Sequence, residues 1–275
     1  MGDVMGSDPA VENHARQVIW DFLLQRRSGE SRKRYYLVSY PRSGNTLVRS
    51  YFAILQGRAQ LSVYAGDVVP PQGSGLAPCL DEIDIIKSHE LPANSDPVIY
   101  IVRDGRNATL SFLQMSLLFG GHDFQQLDQV CEAIRWLDRQ AGSWSEHVAA
   151  AMRASTTRPM LFVRYEDLVA APENALDSMI RFAGENVATE VLADGVSRHR
   201  RSDRYAENPY NGFGFKPPAG SIFDLLQRHR RGAYWQHIFD ERSRRYFHES
   251  GATSLLMNFG YEESEEWWTK AVRTG

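Results

Sequence analysis

The nine residues "SYPRSGNTL" at positions 39–47 constrain this chain more than any other stretch. The apolar, β-rich run "YYLVSY" (35–40) leads into them and reads as a buried strand. Behind them Leu47, Tyr51, Ile54 and Leu55 recur at helical spacing until Gly57 ends the pattern. A strand, a Ser/Gly turn and a helix in that order leave several backbone N–H groups at a helix N-terminus, where the dipole also favours negative charge. Arg42, Ser43, Gly44, Asn45 and Thr46 fall where such donors would face an anion. Short Ser/Gly turns of this kind also follow strands for purely structural reasons.

Laid over the nucleoside-triphosphate pattern G-x-x-x-x-G-K-[ST], Ser39 takes the first glycine, Gly44 the second, Asn45 the lysine and Thr46 the hydroxyl position. The lysine is gone, and a cation stands in the turn as Arg42. Without the lysine that reaches the outer phosphates, the loop is poorly matched to metal-bound ATP. It suits a nucleotide with one phosphate and one further anionic group.

The rest of the chain alternates strands and helices. "IDIIKSH" (83–89) and "PVIYIVRD" (97–104) are buried-strand runs, and "PMLFVRYEDL" (159–168) is a fourth strand running into a turn. Helices are expected over 106–119, from about Phe124 to Ala154, and around 171–184 and 187–198. The pattern predicts an α/β fold of three layers, a central parallel sheet flanked by helices around a P-loop-like nucleotide-binding core. We expect one domain over 1–275, with an amphipathic helix at 12–27 in an N-terminal extension (1–30). The Gly-, Pro- and aromatic-rich stretch 205–220 reads as a long acceptor-side lid loop.

Composition narrows the function. A net charge of −3 and a pI near 6.3 argue against a nucleic-acid binder acting through a broad basic face. The local clusters "RHRRSDR" (198–204) and "RHRR" (228–231) fit small anionic ligands, or else solvated helix faces. Cys79 and Cys131 make neither a disulfide framework nor a zinc site, which fits a reducing cytoplasm. No run approaches the ~20 apolar residues of a membrane span, so a soluble, cytoplasmic protein without a membrane partner is expected.

Taken together, these motifs resemble the sulfotransferases that use 3′-phosphoadenosine 5′-phosphosulfate (PAPS). "SYPRSGNT" resembles their 5′-phosphosulfate loop, and "IVRDGRNATLS" their 3′-phosphate element, with Arg103 at a strand end and Ser111 eight positions on. "IIKSHE" resembles their K-[TS]-H motif, which makes Lys87 a contact to the phosphosulfate and His89 the general base. "FVRYEDL" resembles the strand whose tyrosine, here Tyr165, lies near the adenine. "RRGAYW" resembles the late motif that clamps the 3′-phosphate again, through Arg230, Arg231 and Gly232. "LLMNFGYE" (255–262) is a family-like close. The resemblance implies PAPS as co-substrate, 3′,5′-adenosine bisphosphate (PAP) as product, a small-molecule acceptor and no bound metal.

Forked guanidinium donors suit a 3′-phosphate dianion. The structural alternative for Arg103 is an ion pair with Asp104 or another neighbour; for His89 it is a satisfied histidine at a strand–loop junction. Glu90 is a second candidate base, although strand alternation points it away from Lys87 and His89. Leu47 replaces the tryptophan that many cytosolic relatives carry after the loop. Trp235 follows Gly232 by three residues rather than the usual five, leaving open which arginine reaches the phosphate. No match to the K-x-x-x-T-V-x-x-x-E dimerisation segment is present, so the oligomeric state is open. Met115 to Phe119 and the aromatics Tyr205, Tyr210, Phe213 and Phe215 either line an apolar acceptor pocket or belong to the core. Two other functions fit the loop: a small-molecule kinase, and a sulfonucleotide binder without turnover.

Overall fold

The computed structural model describes residues 32–71, 73–120, 127–201, 221–222, 226 and 235–269. The expected N-terminal helix, the 205–220 lid and the Arg230–Arg231–Gly232 motif lie outside them. Five parallel strands form one sheet: β1 (Lys33–Val38), β2 (Leu61–Ser62), β3 (Ile83–Ser88), β4 (Val98–Val102) and β5 (Met160–Arg164), in the order β2-β3-β1-β4-β5. All four strands expected from the sequence are present. The two-residue edge strand β2 carries too little pattern to be read in advance.

Side-chain alternation divides the core into two layers. Val98, Tyr100 and Val102 of β4 face one cluster, whereas Ile99 and Ile101 face the other. Every residue of β4 is buried, because helices cover both faces of a parallel sheet. Burying each of its Val and Ile side chains is worth roughly 1.5–3 kcal/mol. The second layer is covered by α1 (Asn45–Gln56), and the first by α2 (Gly105–Gly120), α3 (Val130–Ala141) and α4 (Trp144–Ala154). After β5 come α5 (Tyr165–Ala170), α6 (Pro172–Phe182) and α7 (Thr189–Arg201).

Two expectations need correction. The helix expected from about Phe124 to Ala154 is broken: α3 stops at Gly142, whose φ of 78° suits a residue without a side chain. Ser143 then starts α4 with a capping box, its hydroxyl accepting the Glu146 N–H while Glu146 accepts the Ser143 N–H. The turn expected after the fourth strand is the short helix α5, whose first residue is Tyr165.

Part of the 198–204 basic cluster ends α7, where Arg198 and Arg201 pair with Asp194 on an exposed face and His199 packs against Tyr51. That is the solvated-face reading.

Arg106 fastens the C-terminal part of the chain to the start of α2. It is 1% exposed. Its guanidinium donates to both Asp104 oxygens at 2.9 and 2.7 Å and to Glu262, and stacks over Trp235 at 3.9 Å and Trp267 at 4.7 Å. Removing this cation would strand two carboxylates and open a gap between two indoles. Arg106→Met should therefore lower unfolding free energy by about 3–5 kcal/mol, read as an earlier urea midpoint at unchanged slope.

Candidate functional site

The turn between β1 and α1 is held in a conformation few residues adopt. Arg42 has φ 66° and Gly44 φ 109°, both in the left-handed region that costs a side-chain-bearing residue energy. A Cβ on Gly44 would stand 2.7 Å from the Tyr165 ring, so this position needs glycine for space as well as for φ. The turn releases the chain into α1, whose first N–H groups have no acceptor within the helix.

The residues of the loop divide by direction. Arg42 and Thr46 are exposed, while Ser43 and Asn45 are buried. Asn45 Nδ2 donates to Ser39 Oγ at 2.9 Å and to the Ser88 carbonyl at 3.5 Å. The amide standing at the lysine position thus ties the ends of β1 and β3 together. Leu47, half-buried, packs with the α1-side core.

From the β4 end, Arg103 Nη1 donates to the Arg42 carbonyl at 2.8 Å, and its guanidinium lies 4.6 Å from the centre of the Tyr165 ring. The Asp104 ion pair is with Arg106, not with Arg103. Arg42 Nε donates to Ser111 Oγ at 3.4 Å, and its Nη1 lies 4.0 Å from Met115 Sδ. Arg42, Gly44, Arg103, Ser111 and Tyr165, scattered over more than a hundred positions, therefore meet around one turn.

From the β3 end come Lys87 and His89. Lys87 Nζ donates to Asp67 Oδ2 at 2.7 Å and lies 5.3 Å above the Tyr64 ring. The Tyr64 hydroxyl accepts the His89 N–H at 3.1 Å, and its ring is 5.8 Å from the imidazole. The strand stops at Ser88, so Tyr64, rather than strand alternation alone, brings Lys87 and His89 together. Glu90 is exposed.

His89 Nδ1 is 3.0 Å from the Ser39 carbonyl. A carbonyl only accepts, so neutral His89 carries its proton on Nδ1 and its lone pair on Nε2. His147 Nε2 donates to the His89 carbonyl at 2.6 Å, and its Nδ1 accepts from Tyr100 Oη at 2.7 Å. Burial pushes the His89 pKa down to about 4, and the Lys87 charge adds to it, against the opposing Ser39 carbonyl. The imidazole is neutral and oriented at neutral pH.

Sequence reasoning missed Tyr64, Asp67, Arg49 and His147. Arg49 alone left a signal, a charged residue inside the apolar run "LVRSYFAIL".

A turn with positive φ at Arg42 and Gly44 after the central strand, with an arginine from one neighbouring strand and a Lys–His pair from the other, defines a P-loop-like α/β protein. Within that class the model of the sulfotransferase domain matches residues 32–250, and the chain belongs to the sulfotransferase family. Rat sulfotransferase 1C2 is 21% identical over 266 residues, covering 80% of this chain and 83% of the relative. Bovine sulfotransferase 1A1 is 25% identical over 136 residues, 49% of this chain and 46% of the relative, so the chain spans less than half of it. Mouse sulfotransferase SULT7A1, solved in complex with PAP, has a similar fold: TM-score 0.57, 18% identity, coverage of 83% and 88%. Retinol dehydratase, solved with androsterone and PAP, follows at TM-score 0.53 and 16% identity, with 81% and 80% covered. Among the described residues no helix is long and apolar enough to cross a membrane.

The histidine environment gives a direct check. The His89 imidazole should titrate in the folded protein with a midpoint near 4 instead of 6.5, followed by NMR of its Cε1 proton. Because the unfolded chain binds the proton first, this group's contribution to stability should fall as pH drops from 6.5 towards 4. A midpoint at the ordinary value would show an exposed ring.

Proposed function

We propose that this protein transfers the sulfuryl group of PAPS to a hydroxyl or amine of a small-molecule acceptor. The observation that carries the reading is the meeting of Arg42, the Arg103–Ser111 pair and the Lys87–His89 pair around one turn in a chain of the sulfotransferase family. Arg103 and Ser111 hold the 3′-phosphate; the α1 N-terminus with Arg42, Ser43, Gly44, Asn45 and Thr46 holds the 5′ end. Tyr165 borders the adenine, and Arg230, Arg231 and Gly232, outside the described residues, complete the grip on the 3′-phosphate.

The acceptor attacks sulfur in line with the departing 5′-phosphate oxygen. His89 Nε2 takes the acceptor proton as the new bond to sulfur forms. The sulfur–oxygen bond to the phosphate breaks, and PAP leaves with that electron pair on its oxygen. Lys87 and Arg42 stabilise the charge that builds there. The bond from Nδ1 to the Ser39 carbonyl supports the role, since it leaves the lone pair on Nε2, while the low pKa keeps the ring neutral but makes it a weaker base than a free imidazole. The exposed Tyr64 beside His89 and Met115 beside Arg42 support an apolar acceptor mouth.

Calorimetry with PAP and with ATP–Mg²⁺ separates this reading from a kinase; tight ATP binding with no PAP binding would sink it. Turnover with labelled PAPS and a panel of phenols, alcohols, amines and sugars separates it from a binder without turnover. His89→Ala should keep PAP affinity nearly intact and lower turnover by roughly 10²–10⁴. Near-normal turnover would move the base elsewhere. Arg103→Ala should weaken PAP binding markedly while leaving adenosine 5′-phosphate almost unaffected; equal losses for both ligands would refute the 3′-phosphate assignment.

A further inference from the structure

Arg49 lies inside α1 with 1% of its surface exposed. A guanidinium so deep needs a counter-charge and hydrogen bonds, and here Nη1 and Nη2 find them while Nε has none among the described residues. Its Nη1 donates to Asp67 Oδ1 at 2.8 Å, and its Nη2 to the Asp67 carbonyl at 2.7 Å and the Gln60 carbonyl at 2.9 Å. The other carboxylate oxygen, Oδ2, receives Lys87 Nζ. One carboxylate therefore bridges a cation from the helix that starts at the anion-facing turn and a cation from the end of β3. The backbone holds it from both sides, since Val63 N–H donates to the Lys87 carbonyl at 2.9 Å and Asp67 N–H to the Tyr64 carbonyl at 3.1 Å. Burial would raise the Asp67 pKa, but hydrogen bonds from Lys87 and Arg49 outweigh it and hold the carboxyl at about 2.

We propose that Asp67 is a positioning residue for sulfuryl transfer: it holds one N–H of Lys87, so that the remaining donors of that ammonium meet the sulfuryl donor, and through Arg49 it ties Lys87 to the helix behind the anion-facing turn. The inference rests on the role given to Lys87 above. Lysine is a point charge on a flexible four-carbon stem, and nothing in its own geometry aims it. A fixed carboxylate supplies the aim. Two cations and one anion leave the trio positive, so Asp67 does not cancel the attraction for a polyanionic donor.

Asp67→Asn keeps an oxygen for Arg49 and removes the charge that holds Lys87. In the ligand-free protein, acetylation of Lys87 by acetic anhydride, read by peptide mass spectrometry against the exposed Lys33, should rise several-fold. PAP release from PAPS should fall by about ten- to a hundredfold, the scale of a displaced catalytic group, while the dissociation constant of PAP stays nearly constant. Asp67→Glu should recover part of the rate. A packing role alone would instead lower the melting temperature and weaken PAP without a selective loss of rate. Unchanged Lys87 labelling, or PAP release equal to wild type, overturns the inference. A wild-type protein that neither binds PAP nor consumes PAPS sinks the functional reading and this inference together. A wild-type protein that does both, matched by Asp67→Asn, sinks this inference alone.

Discussion

The position of β1 between β3 and β4 is the constraint on which the site depends. The chain leaves β1 through α1 towards β3 on one side, then crosses to β4 on the other. The connections at the carboxyl ends of the strands therefore diverge at β1, the point in the strand order where open parallel sheets bind their ligands. The turn after β1 has carbonyls as well as N–H groups, and a carbonyl facing an anion repels it. Two of these carbonyls are capped, Ser39 by His89 from the β3 side and Arg42 by Arg103 from the β4 side. The same bonds place the proposed base and the proposed phosphate ligand.

Charge is arranged on the same principle. The chain is slightly acidic overall, with a net charge of −3, yet the ends of β1, β3 and β4 bring Arg42, Lys87 and Arg103 around one turn. Each is steered by a different contact: a hydroxyl at Ser111, a carboxylate at Asp67, and a carbonyl with an aromatic face at Tyr165. Arg106, three residues beyond Arg103, has the opposite fate. Its charge is consumed by Asp104 and Glu262 and enclosed by two indoles, which makes it a structural bolt. Sequence proximity therefore says little about which arginine reaches a ligand; the carboxylates within its reach decide.

What the sequence disclosed follows from the range of the signals. β4 is buried throughout, β1 and β3 over much of their length and β5 at Val163 alone, yet all four carry apolar stretches that declare a strand locally. The turn with Arg42 and Gly44, the Lys87–His89 pair and the Arg103–Ser111 spacing are likewise local, and all are brought together. The break between α3 and α4 was visible in principle as Ser143 and Glu146, a capping box that outweighs the helical pattern on either side. Asp67 and Tyr64 gave no such sign. They sit in an irregular segment beside a two-residue strand, and their importance comes from cross-chain contacts to Arg49, Lys87 and His89. The third element of the phosphate grip, Arg230 to Gly232, falls outside the described residues.

His89 illustrates why such contacts matter more than residue type. Its N–H is taken by Tyr64, its carbonyl by His147 and its Nδ1 by Ser39, leaving Nε2 as the nitrogen with a lone pair to offer. His147 is fixed in turn by the hydroxyl of Tyr100, deep in β4. Burial lowers the pKa of both imidazoles, and the chain of bonds passes from the Tyr100 hydroxyl through the His147 ring to the His89 carbonyl. A buried polar chain of this kind is tolerated only when each member is satisfied. Here the satisfaction of each member also removes a freedom from the next. The sheet thereby sets the direction of a single lone pair beside the turn after β1.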